Sequence, residues 1–136
     1  MKKFVILICT ALTLSFVAGS CSSDNSLPNC QKDEHALITE VDNEANTVVV
    51  RQDLSMAIKF QIANSCGVLK KLEVVKNGFD WEVKAITHYD GCDCNEVVEI
   101  KTEPFIFRAT ETGTYTIKFL NPNGEMISKT VTVTPS

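Results

Sequence analysis

The chain has 136 residues and a formal net charge of −4, with 44% hydrophobic and 22% charged residues. This acidic balance, without any run of Lys or Arg, excludes the phosphate-binding surface that a nucleic-acid-binding protein needs. The length is sufficient for one domain with its own hydrophobic core.

The N-terminus combines a basic start with a short apolar run. Met1-Lys2-Lys3 precedes apolar residues 4–17, a stretch shorter than the roughly 20 residues that a membrane-spanning helix requires. Small residues then lead directly into Cys21. This order of basic, apolar and small residues predicts a signal peptide over residues 1–20.

The sequence Ala18-Gly19-Ser20-Cys21 resembles the lipobox of bacterial lipoproteins, although Ala18 stands where leucine is more usual. The resemblance implies that Cys21 is lipidated and becomes the first mature residue. Several acyl chains would anchor it stably, because each buried methylene contributes about 0.8 kcal/mol. Residues 22–29 are small and polar, which is typical of a flexible tether, and we assign 21–35 to the lipidated cysteine and this tether.

The Cys-Ser-Ser-Asp start of the mature chain resembles small uncharacterised lipoproteins of Bacteroidetes-type bacteria. It implies a lipid-anchored protein of the outer membrane or cell envelope, facing either the periplasm or the exterior. The expected partners are the membrane, through the anchor, and an envelope protein or glycan.

Apolar and polar residues alternate along much of the chain after residue 36, which is the two-residue period of a β-strand. The clearest alternations are Leu54–Ile62 and Thr114–Phe119. Residues 68–76 also fit one face of a helix, but Asn77-Gly78 follows them as a hairpin signal and favours a strand. About seven short strands separated by turns predict an all-β, antiparallel sandwich over residues 36–136.

One local pattern refines this fold. The run Glu111-Thr112-Gly113-Thr114-Tyr115-Thr116-Ile117 resembles the start of strand F in immunoglobulin-like domains, where a tyrosine hydroxyl bonds to the backbone upstream. The resemblance implies this tyrosine-corner role for Tyr115 and a core position for Trp81. Ile117 stands where antibody domains have the second cysteine, so their inter-sheet disulfide is absent.

Four cysteines remain for the folded domain once Cys9 leaves with the signal peptide and Cys21 is lipidated. An even number in an exported protein predicts two disulfides among Cys30, Cys66, Cys92 and Cys94. A bond between Cys92 and Cys94 would close a small strained ring. We therefore expect Cys66 to pair with one of them and Cys30 with the other.

The segment His88-Tyr89-Asp90-Gly91-Cys92-Asp93-Cys94-Asn95-Glu96 also allows a metal site, with His88, Cys92 and Cys94 as ligands and Asp90 as a fourth. An oxidising compartment favours disulfides over this alternative, so we expect no metal and no cofactor.

We expect a non-enzymatic protein, because no catalytic motif is present and one of the two histidines, His35, falls in the predicted tether. Chagasin-like protease inhibitors are also small exported immunoglobulin-like domains, but the segment Asn64–Gly67 shares only an asparagine and a glycine with their inhibitory loop. The leading interpretation is a binding or structural module of unknown ligand. Its predicted binding loops carry Asn64, His88, Tyr89, Asp90 and Asp93.

Overall fold

The computed structural model describes residues 29–136, which form nine β-strands and, within that range, no helix. The strands are β1 (Gln31–His35), β2 (Ile38–Asn43), β3 (Thr47–Val49), β4 (Leu54–Ile62), β5 (Gly67–Asn77), β6 (Asp80–Asp90), β7 (Glu99–Phe107), β8 (Gly113–Leu120) and β9 (Met126–Thr134). The predicted β-sandwich is confirmed, with nine strands in place of about seven. The predicted signal peptide, Cys21 and most of the tether lie outside the described residues.

Two sheets form the sandwich. One has three strands in the order β2-β4-β7, and the other has six strands, in which β1, β6, β8, β9 and β3 follow one another while β5 pairs with β6. The β3–β9 and β6–β8 pairs are parallel, whereas the remaining pairs are antiparallel. The sandwich therefore departs from the wholly antiparallel arrangement that the sequence predicted.

Strand β6 is the centre of the six-stranded sheet. Strand β5 runs along one of its edges, while β8 and β1 share the other, with β8 beside residues 80–83 and β1 beside residues 86–90. The predicted hairpin between β5 and β6 is present, but it turns at Gly78-Phe79, because Asn77 still pairs with Asp80. Gly78, the first of the two turn residues, has the positive φ of 58° that such a turn requires.

The core lies between the two sheets and follows the predicted alternation. Every second residue of β4 is buried, and Met56, Ile58 and Phe60 have no exposed surface. Facing them are Ile117 and Phe119 of β8 together with Trp81 of β6. Each large apolar side chain that is buried in this way contributes on the order of 1.5–3 kcal/mol.

Two polar side chains connect loops to the core. The Tyr115 hydroxyl donates to the carbonyl of Glu111 at 3.0 Å, so the predicted tyrosine corner is confirmed. Asn121, in the predicted turn between β8 and β9, accepts from the backbone N–H of Ile38 at 2.8 Å and donates to the Ile38 carbonyl at 3.0 Å. This amide joins the turn of the six-stranded sheet to the first residue of β2 in the other sheet.

The domain starts earlier than predicted. Residues 31–35, assigned to the tether, form β1 and pair in register with residues 86–90 of β6. His35, also expected in the tether, lies 2.8 Å through its Nε2 from the carbonyl oxygen of Leu120. The tether assignment is therefore wrong for residues 31–35, and the folded part begins near Cys30.

Pro104 lies within β7. Strand β7 is an edge of the three-stranded sheet, and among the described strands it pairs with β4 alone. A missing backbone N–H is tolerated on the free side of such a strand.

The strand directions define two ends of the sandwich. The end that carries residues 29–30, 63–66 and 91–98 is called the cysteine end, and the end that carries residues 50–53, 78–79 and 108–112 is called the aromatic end. The described chain enters at the cysteine end.

Candidate functional site

Two disulfides hold the cysteine end. Cys30 is bonded to Cys92, with 5.0 Å between their Cα atoms, and Cys66 is bonded to Cys94, with 5.6 Å between theirs. The predicted disulfides are confirmed, as is the expectation that Cys92 and Cys94 each pair with a distant partner. The first bond fixes the start of β1 to the segment after β6, and the second joins that segment to the loop after β4.

Gly91 allows the two disulfides to lie close together. Its φ is 138°, and a Cβ atom there would lie 3.1 Å from the sulfur of Cys66 and 3.4 Å from that of Cys94. Its backbone N–H donates to the Cys30 carbonyl at 3.3 Å. A side chain at this position would strain the backbone and press against the second disulfide.

Asn64, a predicted binding residue, has a structural role in the turn that precedes β5. Its side-chain oxygen accepts from the N–H of Cys66 at 3.0 Å, and its carbonyl accepts from the N–H of Gly67 at 3.2 Å. Ser65 and Asn95 then exchange two hydrogen bonds of 3.0 Å between the loops. The amide of Asn64 is thus engaged inside its own turn.

Tyr89 does not belong to an exposed loop, contrary to the prediction. It lies in β6 with the parity of Trp81 and is only 4% exposed. Its hydroxyl accepts from the N–H of Ala63 at 2.9 Å, and its ring lies so close to Gly67 that a Cβ there would be 2.6 Å from it. The side chain fills the cysteine end of the core.

His88 lies in β6, on the face opposite to Trp81, and not in a loop as predicted. Its Nδ1 is 2.6 Å from one oxygen of Asp33, and the ammonium of Lys70 contacts the other oxygen. The hydrogen bonds from Lys70 and then from His88 hold the pKa of the Asp33 carboxyl below its ordinary value. All three side chains are solvent-accessible, so this group is a surface cross-strand contact of β5, β6 and β1.

The two acidic candidates differ in their surroundings. Asp90 accepts from the side-chain amide of Gln31 at 3.0 Å. Asp93 is exposed, and within residues 29–136 it forms no ion pair or side-chain hydrogen bond. Of the two acidic residues in the predicted binding loops, Asp93 is therefore the one whose carboxylate is not bonded to another described residue.

The alternative metal site lacks its thiolates in this structure. Cys92 and Cys94 are both disulfide-bonded, so neither is available as a ligand beside His88. No three or more His, Cys, Asp or Glu side chains of the described chain are grouped in a way that could hold a metal ion.

A cleft at the aromatic end was not predicted from the sequence. It has a volume of about 220 Å³ and is lined mainly by Lys76, Phe79, Trp81, Arg108 and Glu111. Lys76 lies over the indole ring of Trp81, with its Nζ 4.1 Å from the ring centroid. Phe79 is 45% exposed, the only large aromatic side chain of residues 29–136 on the surface.

The family of the domain follows from its central and C-terminal strands. The family model described as the ORF11 beta-sandwich domain matches residues 56–133, more than half of the chain. This chain belongs to the ORF11 beta-sandwich domain family. The matched range includes every residue that lines the aromatic-end cleft, whereas Cys30 and residues 50–53 lie before it.

Neither the curated proteins nor the solved structures contain a match to this chain. No helix within residues 29–136 has the length and hydropathy needed to span a bilayer.

Proposed function

We propose that this protein is a lipid-anchored, non-enzymatic binding or structural module of the cell envelope. Lipidated Cys21 holds it at the membrane, and a rigid β-sandwich of the ORF11 family is the part that meets the partner. The partner is an envelope protein or glycan.

The two disulfides are the observation that carries this proposal. Such bonds persist in oxidising compartments outside the cytosol, where the signal peptide would deliver the chain. Cys30 is bonded into the domain only nine positions after Cys21, so the tether is short and ends in a covalent attachment. This arrangement suits a domain that is held close to a membrane.

The surroundings of the cysteine end support a structural role there. Asn64 is bonded within its own turn, Tyr89 accepts from the backbone of Ala63, and Asp90 accepts from Gln31 of β1. A loop intended for a protease active site, as in the chagasin-like alternative, would present free side chains, whereas residues 64–67 are held in a turn. The cysteine end therefore suits attachment of the domain better than recognition of a partner.

Replacing Cys21 tests the anchor. In Cys21→Ser, we expect the protein to move from the membrane fraction to the soluble envelope fraction, and mass spectrometry of the wild-type N-terminal peptide to show acyl chains on Cys21. Cys9→Ser is the matched control, because it changes a cysteine within the signal peptide and should leave the membrane fraction unchanged. A Cys21→Ser protein that stays in the membrane fraction would contradict the proposal.

A further inference from the structure

We propose that the cleft at the aromatic end is the ligand site of this domain, and that it binds an uncharged sugar ring of an envelope glycan. This deepens the proposed function, and it rests on that function for the glycan partner and the anchored setting. The geometry of the cleft carries the argument.

The cleft lies at the end of the sandwich that is farthest from the tether. Cys30 is bonded to Cys92, just beyond the last residue of β6, whereas Trp81 is near the first residue of the same strand. A strand rises about 3.3 Å per residue, so the 11 residues of β6 separate the two ends by roughly 35 Å. A domain held at Cys30 presents the aromatic end away from its attachment.

Phe79 provides a fixed apolar surface in the cleft. Its ring packs edge-on against Tyr115, with 4.9 Å between the centroids, while 45% of the residue remains exposed. Gly113 permits this position, since a Cβ atom there would lie 2.7 Å from the Phe79 ring. An aromatic ring that is held rigidly and still exposed matches the apolar C–H face of a pyranose, and little entropy is lost when the ligand binds.

The charged side chains that line the cleft, counted with the Asp53 partner of Arg108, are balanced in sign. Arg108 is paired with Asp53 through two hydrogen bonds of 2.5 and 2.9 Å, and Lys76 and Glu111 contribute one charge of each sign. A balanced set offers no net attraction to an ion. It does offer both donors and acceptors, which is what the hydroxyl groups of a neutral sugar require.

A strained turn beside the cleft is an independent observation. Arg51 has a φ of 67°, the only positive φ of a non-glycine residue in the described chain, at the third position of a turn closed by the Gln52 N–H and the Val49 carbonyl. Glycine or asparagine is usual there. The Arg51 N–H donates to the carbonyl of Ala109 at 2.9 Å, which fixes this turn to the loop that carries Arg108. Strain of this kind accumulates near binding sites.

The size of the cleft sets the expected ligand and affinity. A volume of about 220 Å³ is below the roughly 300–1,000 Å³ of sites for drug-sized molecules. It therefore suits one ring of a chain rather than an extended oligosaccharide. For a ligand of about 12 heavy atoms, we expect a dissociation constant on the order of 1 mM.

Saturation-transfer NMR with the full-length protein in detergent micelles tests the site. The probes are methyl glycosides of glucose, galactose, mannose and N-acetylglucosamine, with glucuronate as the charged comparator. We expect transfer to the ring protons of at least one neutral glycoside. Phe79→Ala should weaken this binding about tenfold or more, and Val68→Ala, which changes an exposed valine of β5 near the cysteine end, should leave it unchanged.

The outcomes separate this inference from the anchor. Arg108→Gln should also weaken binding, and it keeps the test decisive if Phe79→Ala does not fold. The inference is overturned if no neutral glycoside binds, if only glucuronate binds, or if both variants bind like wild type. If the protein binds sugar but Cys21→Ser stays in the membrane fraction, the lipid anchor is rejected and the sugar site is kept. If Cys21→Ser leaves the membrane fraction but the protein binds no sugar, the sugar site is rejected and the lipid anchor is kept.

Discussion

Removal of the Cys66–Cys94 disulfide, by changing both residues to alanine, is expected to destabilise the domain substantially. The bond has a sequence separation of 28, and the chain-entropy treatment gives about 3.6 kcal/mol for a loop of that length. The same treatment gives about 4.3 kcal/mol for Cys30–Cys92 alone, with its separation of 62.

The two disulfide-closed loops overlap, and this reduces the difference in stabilisation expected from the two bonds. With Cys66–Cys94 closed, the path from Cys30 to Cys92 through that bond is roughly 38 residues long. The stabilisation expected from Cys30–Cys92 then falls to about 3.9 kcal/mol. We therefore expect the two double-alanine variants to lose similar stability, despite the more than twofold difference in sequence separation.

Urea denaturation followed by tryptophan fluorescence measures these losses, because Trp81 is buried in the core. For a domain of this size, about 3.6 kcal/mol corresponds to a fall of roughly 15–25 °C in Tm. The m-value should rise in both variants, since an unfolded chain with one crosslink exposes more surface than a chain with two. Mass spectrometry under non-reducing conditions must show that the remaining disulfide is closed.

An unchanged free energy of unfolding in the Cys66/Cys94 variant would refute this reasoning. A Cys30/Cys92 variant that loses no global stability but exchanges its β1 amide protons quickly would refute the two-state assumption for β1 and show that β1 opens separately.

Three further changes test other contacts. Asn121→Ala should lower the free energy of unfolding by about 2–4 kcal/mol, because two buried backbone groups lose their partners. Asn123→Ala in the same turn should change it by no more than about 0.5 kcal/mol, and equal losses in urea denaturation would contradict the role of the Asn121 amide. Tyr115→Phe removes the corner hydrogen bond and should cost about 0.5–1.5 kcal/mol, and a variant as stable as wild type would show that the bond contributes nothing. The pKa of Asp33 lies below its ordinary value in the folded protein. The contribution of this carboxylate to stability is therefore present above the unfolded-state pKa and is lost as the pH falls through the folded-state pKa. Lys70→Gln should raise the Asp33 pKa in a carbon-detected NMR titration, and an unchanged pKa would contradict the assigned cause.

The strongest sequence signals concerned burial. The alternation in Leu54–Ile62 predicted β4 with its correct bounds, because a sheet face either packs on the core or meets water. The resemblance of residues 111–117 to strand F of immunoglobulin-like domains implied the corner, and the corner is local because the hydroxyl bonds within its own chain segment. The disulfide pairing could be narrowed because neighbouring Cys92 and Cys94 cannot easily bond to each other.

The features that escaped prediction depend on strand pairing or on contacts between distant segments, and a local apolar alternation does not indicate them. Strand β1 is polar, and its first three residues are exposed, so it carries no apolar alternation and is held by β6 and the Cys30–Cys92 bond. The nearby cysteines favour a loop at Tyr89, whereas its parity with Trp81 along β6 indicates the core position that it has. The aromatic-end cleft brings together residues as far apart in sequence as Lys76 and Glu111, and no local pattern in the sequence indicates that they meet.

The position of Cys30 also determines how mechanical force enters the domain. If Cys21 is anchored, a pull on the tether reaches the fold at residue 30, and the covalent bond passes it directly to Cys92 at the end of β6. Strand β1 is paired with β6 at only five residues. Without the Cys30–Cys92 bond, this strand would carry the whole force in shear. Strand β6 is bonded to three other strands, so the force is divided across the six-stranded sheet. An anchored domain of this design resists being pulled apart from its tether, and reducing one disulfide would leave β1 as its mechanically weakest element.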